Sequence, residues 1–204
     1  MWFYDRHILP RLTHLAMRQD LLLPYRRRTV SSARGRVLEI GIGSGLNLPL
    51  YPDAVDHVVG VDPSQELLSL AGAASRSDAR EVELVTGTAE NLPLEDRSID
   101  CVVTSWTLCG VADPRQALSE IRRVLKPGGM FSFVEHGLAP EARVQKWQHR
   151  LTPIWSCCAG NCHLDRAPAA MVAESGLRTE RLETGYAAGP KPIVFMYEGL
   201  ARRE

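Results

Sequence analysis

Val37-Leu38-Glu39-Ile40-Gly41-Ile42-Gly43-Ser44-Gly45 runs from a short apolar stretch into three alternating glycines. The apolar residues read as a buried strand. Glycines after it let the backbone turn sharply and let a ligand approach with no Cβ in the way. Spacing separates this loop from two common ones. A dinucleotide-binding loop, G-x-G-x-x-G, needs Gly or Ala at position 46, where Leu46 stands. A phosphate loop needs G-K-S/T, and no lysine is near. What remains is E-x-G-x-G-x-G, with Glu39 ahead of the turn. A carboxylate there is unwelcome to a pyrophosphate and suits a ligand that carries an ammonium and a sulfonium group.

On either side of the loop, short apolar runs alternate with helical stretches. His57–Val61, Val82–Thr86, Cys101–Ser105 and Met130–Val134 read as further buried strands bounded by Gly, Asp or Pro. Ser64 is placed to cap a helix containing Leu67, Leu68 and Ala71. Asp113-Pro114-Arg115-Gln116 is a strong helix start, with Asp at the N-cap, Pro at N1 and Gln at N3. Leu118, Ile121, Val124 and Leu125 supply that helix's apolar face, and Pro127-Gly128-Gly129 is expected to end it. Strand and helix in this alternation predict an α/β, Rossmann-like, doubly wound and mostly parallel sheet. Further on, a helix is expected around Trp147–Trp155, then a Cys-rich loop, a short helix near Ala169–Glu174 and strands around Leu177–Leu182 and Ile193–Gly199.

Asp62 closes the second strand, 17 residues after Gly45, where a carboxylate accepts hydrogen bonds from ribose hydroxyls. The third strand runs into Gly87-Thr88-Ala89-Glu90-Asn91-Leu92-Pro93, a turn that can hold an adenine edge. Together these features resemble the class I S-adenosylmethionine-dependent methyltransferases, over roughly residues 35–136. The resemblance implies S-adenosylmethionine as cofactor and a seven-stranded sheet of five parallel strands plus an antiparallel hairpin. It further implies a cofactor site at Glu39, Gly41, Gly43, Gly45, Asn47, Asp62, Pro63, Thr88, Ala89, Glu90, Ser105 and Trp106.

A closer resemblance lies in the second half. Thr107-Leu108-Cys109, Val124-Leu125-Lys126-Pro127-Gly128-Gly129 and Phe133-Val134-Glu135-His136 look like the methyltransferase-like type-seven group, the microsomal alkyl thiol S-methyltransferases and their bacterial relatives. Trp147-Gln148, Leu151, Pro153, Trp155 and Cys162-His163-Leu164-Asp165-Arg166 extend the match. The chain departs at Asn161, where the group usually has Gly, and at its front, where no counterpart of the animal enzymes' hydrophobic anchor is expected. The implied reaction is methyl transfer to a small lipophilic acceptor, first of all a thiol. N-methylation of a phospholipid headgroup such as phosphatidylethanolamine, C- or O-methylation of a quinone-like molecule, and a SAM-binding regulatory module without catalysis are the alternatives.

In a doubly wound sheet the chemistry sits at the carboxyl ends of the strands. A thiol acceptor must lose its proton, since thiolate is the nucleophile. His136 and His163 are the candidate bases, with Arg166 as an electrostatic helper; structural, hydrogen-bonded roles are the competing reading. Cys157, Cys158, Cys162 and His163 hint at zinc, but C-C-x3-C-H lacks the paired C-x2-C spacing of structural sites, and no metal is expected. Trp106, Trp147 and Trp155 read as core or pocket wall, or as an aromatic cage for an ammonium acceptor.

The 204 residues, 45% hydrophobic and 24% charged, fit one globular domain over 1–204. It divides into an N-terminal helical cap (1–33), a cofactor-binding core (34–136) and an acceptor-side segment with a C-terminal hairpin (137–204). Basic and acidic residues number 24 each, which argues against a nucleic-acid partner. Residues 1–30 nonetheless hold six arginines, Arg6, Arg11, Arg18, Arg26, Arg27 and Arg28, against Asp5 and Asp20, a net +4. With Trp2, Phe3, Tyr4 and the helical spacing of Ile8, Leu12, Leu15 and Ala16, this segment reads either as a helix packed over the core or as a basic amphipathic element that lies on a membrane or caps a pocket. No apolar run reaches the length of a membrane span, the start does not resemble a secretory signal, and five cysteines are an odd number. A cytoplasmic protein is expected, peripheral to the membrane if the second reading of residues 1–30 holds.

Overall fold

The computed structural model describes Tyr4, residues 8–76 and residues 78–204. Trp2, Phe3, Asp5 and Arg6 of the basic, aromatic start lie outside them. Seven strands form one sheet: β1 (Gly35–Ile40), β2 (Val55–Asp62), β3 (Glu81–Thr86), β4 (Ile99–Ser105), β5 (Leu125–His136), β6 (Arg178–Tyr186) and β7 (Phe195–Arg202). Their order is β3-β2-β1-β4-β5-β7-β6. The first five are parallel, and β7 runs antiparallel between β5 and β6. The order reverses between β1 and β4, and doubly wound sheets open a crevice at such a point.

Alternation along each strand sends side chains to opposite faces, so the sheet is packed on both. Leu38 and Ile40 of β1 join one core with Phe131, Phe133 and the apolar side of α4 (Pro114–Val124). Val37 joins the other, with Val58, Val103, Val30 of α2 (Leu23–Val30) and Leu68 of α3 (Gln65–Ser75). The cap signals fold as the residues dictate. Ser64 Oγ accepts the Leu67 N–H, and the Asp113 carboxylate accepts the N–H groups of Arg115 and Gln116. The end of α4 falls earlier than Pro127-Gly128-Gly129: the backbone extends already at Leu125, and the Pro-Gly-Gly run forms an irregular start to β5. Strand pairing to β4 begins at Ile99–Leu125 and wins over continuation of the helical pattern.

Two helices precede the sheet, α1 (Leu9–Met17) and α2, and two follow β5, α5 (Ala142–Cys158) and α6 (Pro168–Glu174). α2 is pinned to the sheet by Arg28, whose guanidinium donates twice to Glu198, and by the Ser132 hydroxyl, which donates to the Thr29 carbonyl. α1 differs. Leu12 and Leu15 are 50% and 64% exposed, so its apolar side is not spent on the core. At the far edge, β6 is exposed along almost its whole length and carries Arg178, Glu180, Arg181 and Glu183, with Arg202 of β7 paired to Glu180.

Candidate active site

The crevice at the reversal holds a cavity of about 690 Å3, within the usual range for small-molecule sites. Its floor is the glycine loop. Gly41 and Gly43 line it at φ +70° and +56°, values that L side chains rarely adopt. A Cβ on Gly41 would collide with the Thr107 side chain, whereas one on Gly43 would meet nothing nearer than the Gly41 carbonyl at 3.9 Å. Gly43 therefore leaves open space over the loop, as a closely approaching ligand requires.

Asp62 stands at the end of β2, 6% exposed, and its two oxygens accept the N–H groups of Gly43 and Ser64. Burial raises its pKa and these bonds oppose the rise. Each oxygen keeps a lone pair for a ribose hydroxyl. Val61, Pro63, Leu67, Ala89 and Val111 supply apolar sides for a purine. Thr88 and Glu90 also line the wall. The Glu90 carboxylate accepts the N–H groups of Ala112 and Asp113, tying the turn after β3 to the segment before α4. Ser105 and Trp106 complete the end of β4. The residues present fit S-adenosylmethionine.

Glu39, Gly45 and Asn47 do not line the cavity; they lie behind it. Glu39 is 2% exposed, and its oxygens accept from the Asn47 amide and the Tyr51 hydroxyl, both at 2.8 Å. Asn47 also donates to Ser105 Oγ and accepts from Arg26. Burial pushes the Glu39 pKa up to about 7, outweighing those bonds and the charge of Arg26. The carboxylate that the sequence suggested as a direct ligand for an ammonium group thus has both oxygens committed to a network under the loop.

Trp106 has φ +54°, rare for a bulky residue. Its N–H donates to Val134, while the buried Glu135 carboxylate accepts the next two N–H groups, of Thr107 and Leu108, so the turn is held from both sides. The indole faces the guanidinium of Arg26, 5.1 Å from the ring centroid. Trp147 is half exposed beneath Arg150, and Trp155 donates to Cys162 Sγ. Each of the three tryptophans thus has its own partner, and of the three Trp106 alone lines the cavity.

His136, His163 and Arg166 stand outside the cavity lining. His136 ends β5 buried, with Nε2 2.7 Å from Cys162 Sγ. Burial pushes its pKa down, but Cys162 and Glu135 outweigh that and leave it raised. The Cys162 thiol is correspondingly lowered, first by its contact with Cys109 and then, against burial, by His136. The His163 backbone N–H donates to Cys109 and the Arg166 guanidinium to Leu108, which fasten the loop after α5 to the turn after β4. The loop reaches the cavity through Gly160 and Asn161. Asn161 adopts φ +63°, a conformation that Asn tolerates better than other L residues, which accounts for Asn in place of Gly.

Two titratable residues of the cavity wall went unnoticed in the sequence, His14 and Arg26. His14 lies on α1 with Nδ1 2.7 Å from Ser44 Oγ, and Thr13 and Met17 flank it on the wall. One histidine of two and one arginine of six in a helical segment carry no local signal of a site.

Residues 38–133 match the model of the methyltransferase domain family. The thiol S-methyltransferase TMT1B of Rattus norvegicus is 38% identical over 64% of this chain and 54% of its own length. A phosphatidylethanolamine N-methyltransferase of Cereibacter sphaeroides is 38% identical over 59% of this chain and 63% of its own. The chain thus spans a little over half the length of the first of these relatives. In fold it is similar to a SAM-dependent methyltransferase of Thermotoga maritima, with a TM-score of 0.69 and 24% identity over 98% of this chain and 99% of that one. The glycine floor, the Asp62 carboxylate and these likenesses agree: residues 38–133 carry a methyltransferase domain, on the fold that the SAM-dependent methyltransferase of Thermotoga maritima shares.

Proposed function

We propose that the chain methylates the sulfur of a small lipophilic thiol. The observation that carries this reading is the Arg26–Trp106 stack on the cavity wall. Arg26 is 7% exposed and brings a fixed positive charge to the end of β4. A neighbouring cation favours ionisation of a thiol and disfavours a positively charged amine. It also occupies the aromatic face that an ammonium acceptor would seek. The two carboxylates on the wall, Asp62 and Glu90, are already bonded to backbone N–H groups.

Bound S-adenosylmethionine supplies an electrophilic methyl on its sulfonium. The chain's own residues do the rest. Gly41, Gly43 and Asp62 hold the cofactor, and the apolar walls exclude water. His14, the one histidine on the wall among the described residues, takes the thiol proton as the sulfur attacks. Alignment of the two partners can supply ~7–11 kcal/mol of the barrier reduction. A membrane-borne acceptor such as a phospholipid headgroup is the second reading. It is favoured by the exposed Leu12 and Leu15 on α1 beside the wall residues Thr13 and His14, with Arg11 and Arg18 nearby in sequence.

A methyl-transfer panel with labelled SAM decides between them. Alkyl thiols are expected to be labelled well above amine phospholipids and phenols. Label in phosphatidylethanolamine alone would replace the thiol reading with the second one.

A further inference from the structure

Cys109, His136 and Cys162 reach one point from three places: the turn after β4, the last residue of β5 and the loop after α5. Their sulfur and nitrogen atoms all lie within 4.8 Å of one another. Cys109 and His136 are buried and Cys162 is half-buried. His136 Nε2 is 2.7 Å from Cys162 Sγ, closer than the 3.3 Å at which Trp155 Nε1 donates to the same sulfur. This is not the Cys157-Cys158-x3-Cys162-His163 run that the sequence offered: Cys157 and Cys158 are exposed.

Two thiols and an imidazole can satisfy one another only weakly, because S–H is a poor donor and sulfur a poor acceptor. As ligands the same three groups are a strong set. Thiolates and imidazole select thiophilic cations, and Zn2+ and Cu+ head that group. Metal–sulfur and metal–nitrogen bonds of about 2.3 and 2.1 Å at tetrahedral angles put S and N about 3.5 Å apart. The donor atoms already lie within 4.8 Å of one another, so small side-chain rotations bring the cluster to that arrangement. Arg166 brings positive charge beside both sulfurs, which offsets the negative excess of two thiolates around a monovalent ion.

We propose that Cys109, His136 and Cys162 bind one thiophilic d10 cation, Zn2+ or Cu+, in a three-ligand site immediately behind the cavity wall. Cys109 precedes Gly110 and Cys162 follows Asn161, both of which line the cavity, and the Asn161 amide donates to the Gly110 carbonyl. The ion ties these two loops together and fixes the wall they make. The site requires nothing of the methyl acceptor, and its test does not use methyl transfer.

The full chain, reduced and stripped with chelator, is titrated with Zn2+ and with Cu+ in separate arms, and with Co2+ as a coloured probe. One equivalent of Zn2+ or Cu+ per chain is expected, and a thiolate-to-metal charge-transfer band with Co2+. Cys109→Ser, His136→Ala and Cys162→Ser should each weaken binding at least about tenfold, and Cys157→Ser should leave it unchanged. Folding of every variant is read from circular dichroism. Should Cys109→Ser not fold, the wild-type stoichiometry and His136→Ala decide the matter. Failure of the folded, reduced chain to take up an equivalent of either ion would overturn the site. So would binding that survives loss of His136 or moves with Cys157.

Discussion

Replacing Glu39 by Gln removes a buried carboxylate under the glycine loop while keeping its shape. The Gln carbonyl can still accept from Asn47, and its NH2 can donate to a Tyr51 hydroxyl that turns to accept. The pKa of Glu39 rises from 4.5 to about 7 in the fold because burial outweighs the bonds from Tyr51 and Asn47. A raised carboxyl contributes stability fully present below its unfolded pKa and lost as pH rises through the folded one. The window therefore runs from about pH 4.5 to about pH 7. At 1.36 kcal/mol per unit, the wild type should lose roughly 3 kcal/mol relative to Glu39→Gln across it. Other titrating groups cancel in the comparison. Urea unfolding followed by tryptophan fluorescence at several pH values between 4.5 and 8 reads the effect. With m near ~2–3 kcal/mol/M, the gap between the two midpoints should widen by about 1 M in favour of the variant. A gap that stays constant across that range would refute the account of Glu39 as a desolvated, neutral-leaning acid.

S-adenosylhomocysteine at 100 times its dissociation constant should stabilise the wild type by about 2.7 kcal/mol in a thermal scan, and NAD should not; Asp62→Ala should lose most of that shift, and an undiminished shift would sink the ribose assignment. His14→Ala should lower thiol turnover by ~10²–10⁴-fold with the S-adenosylhomocysteine shift intact, whereas turnover unaffected in that variant and lost in His163→Ala would return the base to the loop after α5. Gly199→Ala should destabilise the fold by ~1–3 kcal/mol in urea, since the new methyl would run into the buried Phe133 ring. Vesicles with anionic lipid should sediment the intact chain at low salt and release it at high salt, and a chain that stays in the supernatant at low salt argues against contact through α1.

The sheet and the floor of the site were legible because their signals are local. Strand runs, the glycine spacing, Asp62 at the end of β2 and the Asp113-Pro114 start of α4 each sit within a few adjacent residues, and local chemistry decides their conformation. What escaped depends on distant segments meeting. Arg26 reaches Asn47 and Trp106 only once α2 has crossed the sheet, and His14 reaches Ser44 only once α1 lies beside the glycine loop. Glu39 was read as a direct ligand because nothing near it in the chain showed that Asn47 and Tyr51 would claim both oxygens. His136 was singled out as a base, but its partner Cys162, 26 residues on, turns it away from the cavity and into the thiol cluster.

Both margins of the sheet carry charge: Glu81 and Glu83 on β3, and the run of Arg and Glu along β6. A free margin is a template on which another copy can add a strand, and charges there oppose it by demanding hydration and by repelling like charges. The seven strands are therefore closed to growth from either side, and copies of this chain meeting margin to margin would have to strip water from both rows of charge. Neutralising Arg178, Arg181 and Glu183 together would remove that barrier on one side and leave a nine-residue strand free to recruit others, turning a boundary of the fold into a nucleus for fibrillar aggregation.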